Sequence, residues 1–153
     1  MTGVQTCALP IFTVNLLAGT KLGLGAIGFI TANGGAGTDT ITAGGANQTL
    51  IGGTKDVLNG AAAGSDTFLG TSAALNGDTI GGWTTGDVLD LTDMNAATLK
   101  ALTYVAGKTS GTLTVKDGTH TSAIIFGGKT TALTNFTVIG SDGHGGTLIG
   151  FHI

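Results

Sequence analysis

Neither glutamate nor arginine occurs in the 153 residues: all nine acidic side chains are aspartate and all six basic ones are lysine. The single cysteine, Cys7, and the single proline, Pro10, both lie in the opening string MTGVQTCALPI. That string, residues 1–11, resembles the translation of a short-read sequencing adapter and is set aside from fold reasoning. A chain that opens in this way is expected to be the C-terminal piece of a longer protein. From Phe12 onward there is no cysteine, which excludes a disulfide framework. The missing Glu and Arg, set beside 29 glycines, disfavour helix throughout. Every negative charge sits on a short arm, which suits tight turns and hard, oxygen-seeking cations.

The formal net charge is -3, and the lysines are scattered. Nucleic acid and anionic membrane are therefore excluded as partners, and a metal cation is the expected counter-charge. Membrane insertion is not expected either. The apolar stretch from Phe12 to Ile30 is interrupted by Asn15, Lys21 and several glycines, and Ala8 to Leu17 lacks the basic start of a signal peptide.

What is present is a repeat. Between Gly34 and Leu69 the text divides into four slots of about nine residues: GGAGTDTIT, AGGANQTLI, GGTKDVLNG and AAAGSDTFL. The first has Asp39 at its sixth place and Ile41 at its eighth; the fourth has Asp66 and Phe68 there, after Gly64. The middle slots are degraded, one lacking Asp and the other bringing Asp56 one residue early, beside Lys55. In such a slot the glycines form a turn, and the last three residues form a short strand that sends one apolar side chain inward. Successive slots coil into a parallel roll.

This pattern resembles the nonapeptide of RTX (hemolysin-type calcium-binding) proteins. The resemblance implies Ca2+ bridging adjacent coils through oxygen ligands, here Asp39, Asp56 and Asp66 with the backbone of Gly35, Gly37 and Gly64. It pairs Asp39 with Asp56 on one edge and sets Asp66 opposite Thr49 on the other. Lys55 stands where a carbonyl-supplying turn residue is expected, and its ammonium would compete with a cation. On the residues alone, the alternative is a metal-free solenoid whose aspartates bond their own backbone.

The repeats are read as ending near Asp78. DTIGGWTTGDVLDL, Asp78 to Leu91, is similar to the segment that follows RTX repeats in type I secreted proteins, with Trp83 expected to plug the end of the roll. Beyond it come a loop or helical turn at Asp93 to Thr98, a strand at Leu99 to Val105, and a hairpin whose Asp117-Gly118 pair suits a two-residue type I′ turn. That register places His120 in a strand opposite Val115. Strands at Asn135 to Ile139 and Thr147 to Phe151 close the chain, and LTNFTVIGSDGHGGTLI also resembles the closing segment of such secreted proteins.

Catalytic constellations are poor. In the trio Asp87, Asp90 and Asp93, the first reads as closing a turn, the second as pointing outward and the third as a cap. Asp142 and His144 lack nearby zinc ligands, since His120 and His152 are far along the chain. Ser141 lies outside any G-x-S-x-G elbow, and no phosphate loop occurs.

The expected fold is all-β: a degenerate RTX-like β-roll or β-solenoid over 12–77, followed by a β-sandwich-like cap and secretion-signal region over 78–153. The expected function is a non-enzymatic, secreted or cell-surface calcium-binding or structural module, with calcium and the type I secretion machinery as partners. The alternatives are an adhesin or matrix module, and the accessory end of a secreted hydrolase.

Overall fold

The computed structural model describes residues 12–26, 28–128 and 135–151, with the side chain of Phe12 excepted. The adapter-like string and His152 lie outside the described residues. Nine short strands come first: β1 (Phe12–Asn15), β2 (Lys21–Gly23), β3 (Ile30–Asn33), β4 (Thr40–Thr42), β5 (Thr49–Ile51), β6 (Val57–Asn59), β7 (Thr67–Gly70), β8 (Thr79–Gly81) and β9 (Val88–Leu91). A 3-10 turn at Ala96–Thr98 leads to β10 (Ala101–Ala106), β11 (Ser110–Lys116), β12 (Thr121–Gly127), β13 (Phe136–Ser141) and β14 (Thr147–Phe151). No helix among the described residues is long and apolar enough to cross a membrane.

Odd and even strands of the first nine alternate between two sheets, and every neighbouring pair among them is parallel. The result is a β-solenoid of about four turns. One sheet runs β1-β3-β5-β7-β9-β14-β13 and the other β10-β11-β12-β8-β6-β4-β2. The end beyond β9 is closed by antiparallel strands, with β14 pairing β9, and β12 pairing β8 in parallel as the start of a meander through β11 to β10.

Register explains the core. In one sheet Ala32, Leu50, Phe68 and Leu89 stack one above another, and in the other Leu22, Ile41, Leu58, Ile80 and Phe126 do so. Apart from the partly buried Leu22, all are fully buried. The coil strands are three or four residues long, so each sends one or two alternate residues inward, while the longer β12 sends several. Burying each Leu, Ile or Phe contributes about 1.5–3 kcal/mol, and the stack makes that gain repeat at every coil.

Trp83 is buried where solenoid meets cap. It stacks on Phe68 at 5.5 Å between ring centroids and meets Phe126 edge-on at 5.3 Å and Phe136 at 5.8 Å. The aromatic cluster joins a coil residue to two cap residues, which is what seals the roll.

Several local expectations are corrected. The β11–β12 connection is not a two-residue type I′ turn. Lys116 pairs with Thr121, and the Asp117 amide donates to the His120 carbonyl across a four-residue turn. The Asp117 carboxylate accepts the Thr119 and His120 amides, which stabilises the wider turn. His120 therefore lies in the turn, and Val115 faces Ser122 instead. Asp93 does not cap the 3-10 turn; Asn95 does, its side chain accepting from the Ala97 amide. Asp90 alternates with the core residues Leu89 and Leu91 and faces away from the core as expected, but it is covered rather than solvent-exposed, at 8% exposure, in register with Leu148 of β14. Past Asp78, where the sequence repeats are read as ending, β8 and β9 continue the parallel stack.

Candidate functional site: the turn aspartates

Each coil turns twice, and an aspartate stands at most of these turns, two residues before the inward apolar residue of the next strand: Asp39 before Ile41, Asp56 before Leu58, Asp66 before Phe68, Asp78 before Ile80 and Asp87 before Leu89. All five are buried. They form two columns. On one edge the amide of Thr20 donates to Asp39 Oδ1 (2.5 Å), that of Asp39 to Asp56 Oδ1 (2.8 Å) and that of Asp56 to Asp78 Oδ1 (2.9 Å). On the other edge the Gln48 amide donates to Asp66 Oδ1 (2.9 Å) and the Asp66 amide to Asp87 Oδ1 (2.8 Å). One carboxylate oxygen of each aspartate thus ties its coil to the one before.

The second oxygen divides the set. In Asp56, Asp66 and Asp87, Oδ2 accepts a local turn amide, from Gly53 (2.8 Å), Ala61 (2.8 Å) and Thr84 (2.6 Å) respectively. In Asp39 and Asp78 the buried Oδ2 has no partner. Burial pushes the Asp78 carboxyl up to about 7, with the neighbouring Asp56 charge adding to the shift and the Asp56 amide, and more weakly the Lys55 amide, opposing it. Asp56 and Asp87 are also raised by burial, against the pull of their amide partners.

Of the six residues expected to hold a cation, Asp39 and Asp56 share one edge as expected, and Asp66 lies on the other. Asp66 faces Gln48 rather than Thr49, because Thr49 is in strand register with Thr67. Gly35, with φ of 70°, turns its carbonyl toward the next coil. A Cβ at Gly53 would stand 1.8 Å from Gly35 O and 3.1 Å from Asp56 Oδ2, so only glycine lets these oxygens approach there. Gly37 and Gly64 pack against Ala18 and Ala46 of the preceding coils. Lys55 adopts a left-handed φ of 59° and is exposed. Among the described residues no group of three or more His, Cys, Asp or Glu side chains converges on one metal position; oxygen sites built from main-chain carbonyls fall outside that description.

Asp78, Asp87 and Gln48 were not singled out as part of these columns. A strict nine-residue count hides them, whereas the spacing Asp-x-apolar marks both aspartates.

The aspartate trio is dispersed. Asp87 belongs to the column, Asp93 accepts the Ser72 amide and hydroxyl, and Asp90 is held above its ordinary range by burial and by Asp142, with one unpartnered oxygen. Asp142 closes its own turn through the His144 and Gly146 amides, which lower its carboxyl. A groove of about 200 Å³ lies between the Thr85–Val88 turn and Ile139, Gly150 and Phe151.

The chain matches no family model, no curated protein and no solved structure.

Proposed function

We propose that this chain is a non-catalytic structural and calcium-binding module, the C-terminal part of a larger RTX-like protein exported by a type I channel. The observation that carries the reading is the pair of buried aspartate columns, one carboxylate per coil, with Oδ2 of Asp39 and of Asp78 left unpartnered. The donor chemistry fits a hard cation: the Gly35 main-chain carbonyl and one Asp56 carboxylate oxygen both border Gly53, and the side-chain groups of the columns are oxygen donors. Asp39 and Asp56 with the Gly35 carbonyl would hold an ion on one edge and Asp66 would serve one on the other, each offsetting the repulsion of stacked like charges.

Export in an unfolded state followed by folding in millimolar Ca2+ accords with this arrangement. With a dissociation constant of ~0.1 mM, millimolar Ca2+ stabilises the fold by about 1.4 kcal/mol per site. That is enough to bias a marginal roll toward the folded state.

Calorimetric titration of Ca2+ into the whole chain, with circular dichroism before and after, tests the proposal. Saturable binding that is lost in Asp39→Ala is expected. Equal melting temperatures in chelator and in millimolar Ca2+ would refute it.

A second reading, an adhesin or matrix module, draws on one observation. Val138 and Ile139 are 40% and 47% exposed on edge strand β13, beside the groove at Phe151. The remaining alternative, the accessory end of a secreted hydrolase, places catalysis in a separate domain.

A further inference from the structure

We propose that Asn76 is a site of intramolecular deamidation, and that its conversion to isoaspartate unfastens the cap hairpin from the last long turn of the solenoid. The inference does not depend on calcium in the turns.

Three asparagines in the chain precede glycine: Asn33, Asn59 and Asn76. Asparagine is chemically labile, and a following glycine, having no Cβ, lets its own nitrogen approach the side-chain amide most freely. In the reaction the glycine nitrogen loses its proton and attacks the asparagine Cγ. The bond from Cγ to the side-chain nitrogen breaks, ammonia leaves and a succinimide ring remains. Water opens that ring at either carbonyl, giving aspartate or isoaspartate, and the latter lengthens the main chain by one methylene. The attacking nitrogen must be free of its hydrogen bond and the side chain free to turn toward it.

The fold withholds both conditions from Asn33 and Asn59, which end β3 and β6. The Gly34 amide donates to the Ile51 carbonyl at 3.0 Å and the Gly60 amide to the Gly81 carbonyl at 2.9 Å. Asn33 Nδ2 donates to Asn15 Oδ1 and its Oδ1 accepts the Gly35 amide, both at 3.1 Å, while Asn59 Nδ2 donates to Thr42 Oγ1 at 3.3 Å. A reactive geometry at either residue requires parallel coils to separate.

Asn76 is held differently. It is exposed, and with Gly77 it fills the centre of a turn closed by the Asp78 amide on the Leu75 carbonyl at 3.2 Å, with a Gly77 φ of 86°. Both of its restraints come from one residue of the cap. The Ala123 amide donates to Asn76 Oδ1 at 2.9 Å, and the Gly77 amide donates to the Ala123 carbonyl at 2.8 Å. Lifting this turn from β12 therefore frees the attacked carbon and the attacking nitrogen together, with the parallel coils intact. Such local openings cost less free energy than the separation of core strands.

The product acts on the seam between solenoid and cap. Beside Ala123, the Ile125 amide donates to the Asp78 carbonyl at 2.9 Å, and Phe126 is in register with Ile80. An extra methylene at residue 76 displaces Gly77 and Asp78 along β12 and strips the Ala123 amide of its acceptor. Trp83, the single tryptophan, packs edge-on against Phe126 and reports on the seam.

The test ages the whole chain at pH 8.5 and 37 °C, folded and in urea, and follows each asparagine by tandem mass spectrometry. In the folded chain Asn76 should react roughly tenfold or more faster than Asn33 and Asn59, and in urea the three should react at comparable rates. Ammonia loss separates this reaction from isomerisation at Asp117-Gly118 or Asp142-Gly143, which releases none. The purified isoaspartate-76 chain should melt below the wild type, with Trp83 emission shifted to the red. Asn76→Asp keeps the main-chain length and an oxygen for the Ala123 amide, and should melt close to the wild type. No reaction at Asn76 in the folded chain, or reaction at Asn33 or Asn59 as fast, would overturn the site. An isoaspartate-76 chain that melts with Asn76→Asp would overturn the unfastening.

Discussion

Asp78 lies one coil beyond Asp56 and takes the Asp56 amide on Oδ1 at 2.9 Å, while its other carboxylate oxygen, buried in the same turn, has no partner. A half-satisfied carboxylate in the interior is costly when ionised and acceptable when protonated. The same group that ties two coils together is therefore a source of pH dependence.

The sign follows from linkage. The Asp78 carboxyl is raised from 3.8 to about 7, so the folded chain holds this proton more tightly than the unfolded one. Its contribution is complete below about pH 3.8 and is lost as pH rises through about 7. Asp117 and Asp142 are lowered and act oppositely, losing their contribution only as pH falls below about 4. Thermal melts in chelator should give a melting temperature several degrees higher at pH 5 than at pH 8. A flat profile across that window would contradict the assignment.

Close packing of the turns predicts a contrast between two glycines. A Cβ at Gly53 would stand 1.8 Å from the Gly35 carbonyl oxygen, which is main chain and cannot step aside without separating two coils. Gly53→Ala should cost about 1–3 kcal/mol or more. At Gly118 nothing lies within 4 Å and φ is not positive, so Gly118→Ala should be neutral or stabilising by about 0.4–1 kcal/mol. Urea denaturation of both variants measures the difference.

Trp83 supplies a third prediction. Trp83→Ala removes the ring that joins Phe68 to Phe126 and Phe136, and should cost about 3–5 kcal/mol. The indole Nε1 is buried without a partner, so Trp83→Phe discards an unsatisfied donor along with some packing. Its cost should be well under half that of Trp83→Ala in denaturant midpoints. Equal costs would mean that the indole nitrogen is satisfied in solution.

The inward residues are legible because Ile41 and Phe68 keep a fixed place in their slots, and the β14 boundaries agree with the expected strand Thr147–Phe151. The extent of the columns was not. Asp39 and Asp56 are 17 residues apart, but Asp56 and Asp78 are 22 apart, the extra length forming the turn that buries Leu75. A solenoid conserves the phase of its strands and lets its turns vary in length, so counting residues loses a coil that Asp-x-apolar retains. The Asp117-Gly118 expectation failed for a different reason. The Asp117 side chain satisfies two amides within the turn and lies 3.4 Å from the Asn95 amide, and this side-chain bonding favours the wider turn over the two-residue one.

The two kinds of aspartate give the sharpest prediction, because one substitution should have opposite effects in the two places. Asp78→Asn keeps an acceptor at Oδ1 for the Asp56 amide and puts an NH2 where Oδ2 had no partner, removing a buried charge beside Asp56. In chelator at pH 8 it should raise the melting temperature and flatten the pH profile. In Asp66→Asn one side-chain oxygen accepts the Gln48 amide at 2.9 Å, but the new NH2 faces the Ala61 amide, which had donated to Oδ2 at 2.8 Å. Two donors then oppose one another in a turn, and a loss of about 1–3 kcal/mol is expected. Asp39→Asn should likewise escape the loss expected at Asp66, since its Oδ2 is also unpartnered. Adding millimolar Ca2+ should narrow or reverse the advantage of Asp39→Asn, because Asp39 is one of the proposed ligands and the wild-type chain alone retains the full set. If Asp66→Asn and Asp78→Asn instead destabilise equally with and without Ca2+, the division of the columns by their second oxygen has no energetic meaning.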